Sequence, residues 1–372
     1  MIINNRGYVL QWHKNENGVA QYRSECLDFG DDHFTIGSWE QKDFISRDGQ
    51  MKLSTQVFFA SIDQRSEKAA GESACTALVA VIADWLHDNP NSMPIKSQFD
   101  TLIRDGSLEW RNLCDVEAYR EKFPDRHFDL ETVLQAKVRP LSVAPGKSFI
   151  GFFQDEGMGD SFEFLQGAMS FDNIWEEITS VCTEEAENSE PQIYIVSWND
   201  HFFVLKVEKE AYYIIDTLGE RLFEGCNQAY VLKFDKETAV YQLPEEQKLE
   251  DEKCSSTHQS APTENSKSLP ADISKSSPAA NGNRPQKETA RDKDTNPSEI
   301  VEKRECKEML VCKGKESCKE FIKGFWAALP LRELQIDIKK GLMGRIPLHH
   351  RLQIEFQYTV RSCSTSMDLV VA

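Results

Sequence analysis

No run of about 18 consecutive apolar residues occurs in the 372-residue chain, so nothing in it reads as a transmembrane helix. The opening residues, Met1-Ile2-Ile3-Asn4-Asn5-Arg6-Gly7, lack the basic-then-apolar layout of a secretory signal. Positive charge is scarce. The 43 Lys and Arg face 61 Asp and Glu, leaving a formal net charge of -18. That is the wrong sign for a dedicated nucleic-acid binder, which needs a basic face to neutralise phosphates. P-loop, dinucleotide-fingerprint and calcium-loop motifs are missing. Closely spaced cysteine pairs are missing as well. The 10 Cys are scattered, which suits reduced thiols in the cytosol or nucleus. Cys306, Cys312 and Cys318 recur too widely for the usual zinc pair, and the adjacent His349 and His350 would point to opposite faces of a strand. No metal or other cofactor is expected.

The chain is 40% hydrophobic and 10% aromatic, enough for an ordinary core. Four segments are expected. Residues 1–50 form an N-terminal extension with weak strands at Tyr8–Trp12 and Ala20–Leu27. Residues 51–243 form an α+β domain. Residues 244–301, rich in Ser, Thr, Pro, Asn, Lys, Glu and Asp, have too little apolar surface to offset ordering entropy and read as a disordered linker. Residues 302–372 are a helix–helix–strand segment too small to stand alone, expected to dock onto the α+β domain by adding a strand. Charge follows this division. From 301 onward, 13 Lys and Arg meet 9 Asp and Glu, while the acidic excess lies entirely before it. The run Glu184–Glu190 reads as a surface loop.

The strongest helix signal is Ser73 to Leu86 (SACTALVAVIADWL), with Ser73 as N-cap. It is apolar nearly all round, the mark of a buried central helix. Lys96–Asp105, Ser107–Phe123, Leu130–Lys137 and Phe171–Val181 read as further helices. Gln56–Ser61, Ser148–Phe153, Ile193–Ser197, His201–Val207, Tyr212–Asp216 and one or two segments of Tyr230–Leu243 read as strands. Helices first and antiparallel strands after predict an α+β fold with the buried helix packed on the sheet. Beyond the linker, Ser317–Leu329 and Leu331–Leu342 read as helices and Arg351–Val360 as a strand.

Three residues could carry chemistry. Cys75 falls in the first turn of the buried helix, where unpaired N–H groups and the positive dipole end favour a thiolate. A packed core thiol is the competing reading. His201 opens one strand and Asp216 closes the next. A tight turn at Glu208-Lys209 would set Val207 opposite Glu210 and His201 opposite Asp216, on one face and roughly 5 Å apart at Cβ. A carboxylate there would orient the imidazole and support its charged form. A structural His–Asp pair is again the competing reading.

The order Cys at a buried helix start, His at a strand start and Asp fifteen residues later resembles the papain-like cysteine peptidases, with a spacing similar to ubiquitin C-terminal hydrolases and Josephin-type deubiquitinases. The resemblance implies a papain-like outline and thiolate attack on an amide or thioester carbonyl, with Cys75 as nucleophile, His201 as base and Asp216 as orienter. Those families carry a Gln shortly before the Cys as oxyanion donor. Here that stretch is Ala69-Ala70-Gly71-Glu72-Ser73-Ala74, Gln64 lies eleven residues upstream, and an ionised Glu72 would repel an oxyanion. Over longer stretches (SWEQKDFISRDGQMKLSTQVFFASIDQRSEKAAGESACTALVAVIADWL and CKEFIKGFWAALPLRELQIDIKKGLMGRIPLHHRLQIEFQYT among them) the chain resembles uncharacterised plant proteins that carry an N-terminal C2-type domain related to that of EH-domain-binding proteins. That domain is absent from this chain, and peripheral membrane contact is implied only through it.

Two functions remain open on the sequence. One is a cysteine-hydrolase-like domain acting on peptide or ubiquitin-like amide bonds. The other is a catalytically inactive pseudoenzyme whose old cleft binds a protein or peptide partner. Access to Cys75 discriminates between them.

Overall fold

The computed structural model describes residues 9–11, 23–25, 34–154, 167–180, 190–244, 308–340 and 351–362. The chain divides into two units, Met1–Gln242 with Met309–Ala372, and Leu243–Glu308. The second unit, the expected linker and the acidic run before Glu190 lie almost wholly outside the described residues, as do Cys306, His349 and His350.

The fold is α+β, with a sheet whose pairings are all antiparallel. Two short strands, β1 (Val9–Gln11) and β2 (Arg23–Glu25), pair with each other. The main sheet starts with the hairpin of β3 (Glu40–Ile45) and β4 (Met51–Phe59), which crosses the boundary expected at residue 50. Its central run is β7 (Gln192–Trp198), β8 (His201–Val207), β9 (Tyr212–Asp216) and β10 (Tyr230–Phe234), each hydrogen-bonded to the next, with β10 then joining β4. The short β5 (Leu141–Val143) and β6 (Phe149–Phe152) lie on the far side, and β11 (Ala239–Gln242) pairs with β4.

Alternation along the central strands divides the core in two. Ile193, Ile195, Val204 and Ile215 face one side of the sheet, where they pack with helix α1 (Cys75–Asp88) and helix α2 (Lys96–Cys114). Tyr194, Val196, Phe203, Leu205 and Ile214 face the other, against helix α5 (Phe171–Ser180) and the C-terminal helices. Two short helices, α3 (Glu117–Lys122) and α4 (Leu130–Gln135), follow α2.

Helix α1 is the buried central helix, with Ala77 to Ala83 and Leu86 all inside. Its N-cap is Ala74 and not Ser73, and it has no side-chain cap. A missing cap costs about 1 kcal/mol. Burying Leu78, Val79, Val81, Ile82 and Leu86, at roughly 1.5–3 kcal/mol each, outweighs that loss.

The expected helix Lys96–Asp105 and the first part of Ser107–Phe123 form one continuous helix, α2, which ends at Cys114, and the rest of the second is the separate α3. Gly106 breaks neither its hydrogen bonds nor its path, because it is where α2 crosses α1. A Cβ there would lie 2.6 Å from Leu78 Cδ2 and 2.8 Å from Leu78 Cα. Packing outweighs the modest entropic cost of an interior glycine. Gly106→Ala should therefore destabilise the protein by about 1–3 kcal/mol. In urea unfolding this reads as a lower midpoint at unchanged slope.

The C-terminal segment enters the sheet at two places. β12 (Met309–Lys313) pairs with β11, and β13 (Gln353–Arg361) lies between β7 on one side and β5 and β6 on the other. Between them, α6 (Ser317–Phe321) runs through a π-helical turn, Ile322–Ala327, into α7 (Ala328–Lys339). The widened turn precedes Pro330, which has no N–H to give to the helical ladder. It places Phe321, Ile322, Phe325 and Trp326 in the core.

Candidate functional site

The turn between β7 and β8 has two residues, Asn199 and Asp200, at φ 52° and 59°. Both are left-handed, as in a type I′ hairpin turn, and Asn and Asp tolerate that conformation better than most residues. The turn places His201 at the start of β8, opposite Trp198.

The next hairpin differs from the expected register. Val207 pairs with Tyr212 and not Glu210, and the loop is Glu208 to Ala211, closed by the Glu208 N–H to the Ala211 carbonyl at 3.0 Å. His201 and Asp216 are therefore diagonal neighbours and not directly opposite. The shift is two residues, so parity is kept and both side chains stay on one face. A diagonal pair is still within reach of a long side chain. His201 Nε2 lies 2.8 Å from Asp216 Oδ1.

Asp216 is fully buried and surrounded by donors. Oδ1 also accepts the Leu218 N–H at 2.9 Å. Oδ2 accepts Arg221 Nε at 3.1 Å and the Tyr230 hydroxyl at 3.3 Å. Burial alone would raise its pKa; the His201 charge and hydrogen bond, the Arg221 charge and the Leu218 amide hold it below the usual carboxylate range. Tyr230 is pushed well above the usual phenol, first by burial and then by the Asp216 charge.

Cys75 meets this pair where β8 begins. The His201 ring and the Phe202 N–H both act on its thiol, and the Thr76 hydroxyl lies 4.0 Å from the sulfur. With Nε2 engaged by Asp216, Nδ1 is the nitrogen left to face sulfur. Burial pushes the thiol up, but the His201 hydrogen bond and charge, the Phe202 amide and the Thr76 hydroxyl outweigh it, so Cys75 lies below the ordinary thiol range. His201 moves the other way. Burial and the Arg221 charge lower it, yet Asp216 and Cys75 raise it above the ordinary imidazole. A thiol made more acidic beside an imidazole made more basic can exchange a proton and leave a thiolate–imidazolium pair.

The structure thus brings together the three residues singled out in the sequence. Access is restricted: Cys75 is 4% exposed and His201 6%. A pocket of about 170 Å³ opens on the His201 side, lined by Ser197, Asn199, Asp200, Phe202 and Glu355 among others.

Four more residues join the site that spacing did not reveal. Arg221 and Tyr230 bind Asp216. Thr217 and Gln64 lie beside it: the Thr217 hydroxyl donates to Gln64 Oε1 at 2.8 Å, and Gln64 Nε2 donates to the Glu72 carbonyl at 2.8 Å. The segment from Gln64 to Gly71 folds back on itself, with the Gly71 N–H on the Gln64 carbonyl at 3.0 Å. Eleven residues of sequence are thereby reduced to contact with the loop that leads into Cys75. The Glu72 side chain is exposed. Among the described residues no cluster of three His, Cys, Asp or Glu could hold a metal ion, and no helix is long and apolar enough to cross a membrane.

A family model matches residues 41–359: a domain of unknown function, DUF8490. Among solved structures, the ubiquitin-specific protease encoded by the murine cytomegalovirus tegument protein M48, determined with a ubiquitin-based suicide substrate, is similar at 16% identity. That match covers 48% of this chain and 73% of the viral one, with a TM-score of 0.32. No curated protein matches the chain.

Proposed function

We propose that this chain, which belongs to the DUF8490 family, is a papain-like cysteine hydrolase of peptide or ubiquitin-like amide bonds. The observation that carries the reading is the His201–Asp216 hydrogen bond at 2.8 Å, on an imidazole that also holds the Cys75 thiol below its ordinary range. Either residue pair alone has a structural explanation. The three in line, with the thiol lowered and the imidazole raised, fit an activated nucleophile better than a packed core thiol.

In this mechanism the Cys75 thiolate attacks the carbonyl carbon, and the carbonyl electron pair moves onto oxygen. His201, as imidazolium, gives its proton to the leaving amine as the C–N bond breaks, which leaves an acyl-thioester on Cys75. Neutral His201 then takes a proton from water as the water attacks the thioester. The carboxylic acid leaves, and the thiolate–imidazolium pair is restored. Asp216 holds the ring in orientation throughout. Gln64 is the candidate donor to the oxyanion. One of its amide hydrogens goes to the Glu72 carbonyl, and the other is the one available for the developing charge.

The burial of Cys75 favours a second reading, an inactive site that binds a protein or peptide segment without turnover. Alkylation separates the two. Under the hydrolase reading, iodoacetamide labels Cys75 well below pH 8, where ordinary thiols near 8.5 are mostly protonated. Peptide mass mapping must assign the label, because the chain has 10 Cys. Labelling of Cys75 that only rises with an ordinary thiol titration, or no labelling of the native protein, favours the silent binding site.

A further inference from the structure

We propose that Arg221 is a positioning residue that keeps the Asp216 carboxylate shared between two cations, so that His201 can pass its proton on. The inference rests on the hydrolytic reading above. It starts from a conflict in that reading. A buried imidazole facing an unshared buried carboxylate holds its proton tightly, which suits an acid but not the base needed to activate water in the second half of the cycle.

The geometry resolves the conflict. Asp216 gives Oδ1 to His201 and Oδ2 to Arg221, whose Nε lies 3.1 Å away. Among the described residues no second carboxylate holds the guanidinium. It lies instead over two aromatic rings, with Cζ 5.3 Å from the Trp198 centroid and 4.7 Å from that of Trp326. Its Nη2 is buried without a hydrogen-bond partner among the described residues, where the rings and Asp216 hold the group. The main chain is fixed too. Trp326 Nε1 donates to the Arg221 carbonyl at 3.3 Å. The turn that carries Arg221 packs at Gly219, where a Cβ would meet the Gln228 and Cys226 carbonyl oxygens at 2.6 and 2.8 Å. An aromatic clamp stabilises the cation without adding negative charge beside His201. A carboxylate in the same place would strengthen the imidazolium further.

The clamp also explains a feature of the C-terminal segment. Trp326 sits in the π-helical turn, about a hundred residues beyond Arg221, and such turns often mark functional positions in a helix. The segment after the linker thus reaches the site through one ring.

The groups around His201 come from several elements. Asp216 is on β9, Cys75 on α1 and Arg221 in the turn after β9, while Tyr230 on β10 backs Asp216. Asp200 and Glu355 line the pocket onto which His201 opens. Of these, Arg221 is the group whose charge opposes that of Asp216 at the imidazole.

The test is the titration of His201 in the full chain labelled with ¹³C-histidine. The chain has 8 His, and the signal that disappears in His201→Ala is assigned to His201. Arg221→Met should raise the His201 midpoint by about one unit, the lower end of what a neighbouring charge does. Arg221→Lys should stay close to the parent. Trp326→Phe should stay close as well, while Trp326→Leu should rise part of the way. An unmoved or lowered midpoint in Arg221→Met, with the remaining histidine signals native-like, overturns the proposal. If that variant does not fold, an unmoved midpoint in Trp326→Leu overturns it equally. The two readings fail separately. Ordinary thiol behaviour of parental Cys75 sinks the hydrolase reading whatever Arg221 does, whereas an activated Cys75 with an indifferent Arg221 sinks only this one.

Discussion

At pH 6, His201→Ala should slow iodoacetamide labelling of Cys75 by at least an order of magnitude, with the other cysteines unaffected. Two effects set the size. Without the imidazole, Cys75 loses the two largest influences that lower it, while burial, the largest influence that raises it, remains. A buried thiol at or above the ordinary 8.5 is less than about one part in 300 thiolate at pH 6. Against this, a thiolate of higher pKa is intrinsically more nucleophilic, by a factor that grows with the 0.4–0.5 power of the basicity gained. The fall in thiolate fraction is the steeper dependence, so the net change is a loss. It should be largest in acid and narrow as pH rises towards the variant's own thiol midpoint. Equal labelling of parent and variant at pH 6 would sink the activated-thiolate reading. Asp216→Asn tests the same line one link further on. With the imidazolium less supported, labelling should fall in the same direction by less, because His201 still contacts the sulfur.

How much of this was legible follows from how local each signal is. The bounds of β8 and β9 are legible because the charged run Glu208-Lys209-Glu210 separates two apolar runs, and the position of His201 follows from the Asn199-Asp200 turn. The hairpin register was misplaced by two residues, since the four-residue loop at Glu208–Ala211 has no Gly or Asn to announce its length. The face survived the error because a strand repeats every two residues. On sequence alone Gly106 reads as a boundary between two helices. Only the neighbouring Leu78 explains a glycine there, and that contact is tertiary. β3 escaped notice because Glu40 to Asp43 are all polar and exposed, and only Phe44 of that strand is buried. Arg221 and Trp326 were invisible as site residues. Nothing in a sequence relates two positions a hundred residues apart unless the fold brings them together. Eleven residues of spacing separate Gln64 from Cys75, and spacing misleads when a loop doubles back.

The largest effect on stability should come from Asp216→Ala. The carboxylate is fully buried and accepts from His201, Leu218, Arg221 and Tyr230. Removing it leaves the Arg221 cation, with Nη2 already unpartnered, facing a cavity and not a charge. Breaking one side of a buried ion pair costs about 3–5 kcal/mol. The cation–π contacts with Trp198 and Trp326, worth at most about 2 kcal/mol where desolvated, exist already in the parent and so offset nothing. The pH dependence gives the loss a signature. Asp216 is lowered from 3.8 on folding, so its contribution is complete above pH 3.8 and is lost as pH falls through the lower folded value. His201 is raised from 6.5, so its share is complete below pH 6.5 and is lost as pH rises through the higher folded value. The gap in urea-unfolding free energy between parent and Asp216→Ala should therefore be greatest between about pH 4 and 6.5. It should shrink in acid, where the carboxylate is neutralised. It should shrink only partly above the raised His201 midpoint, since Arg221 stays charged and remains the partner of Asp216. A gap below about 1 kcal/mol at pH 5, or one that keeps growing towards pH 9, would mean that neither cation depends on the carboxylate as the geometry requires.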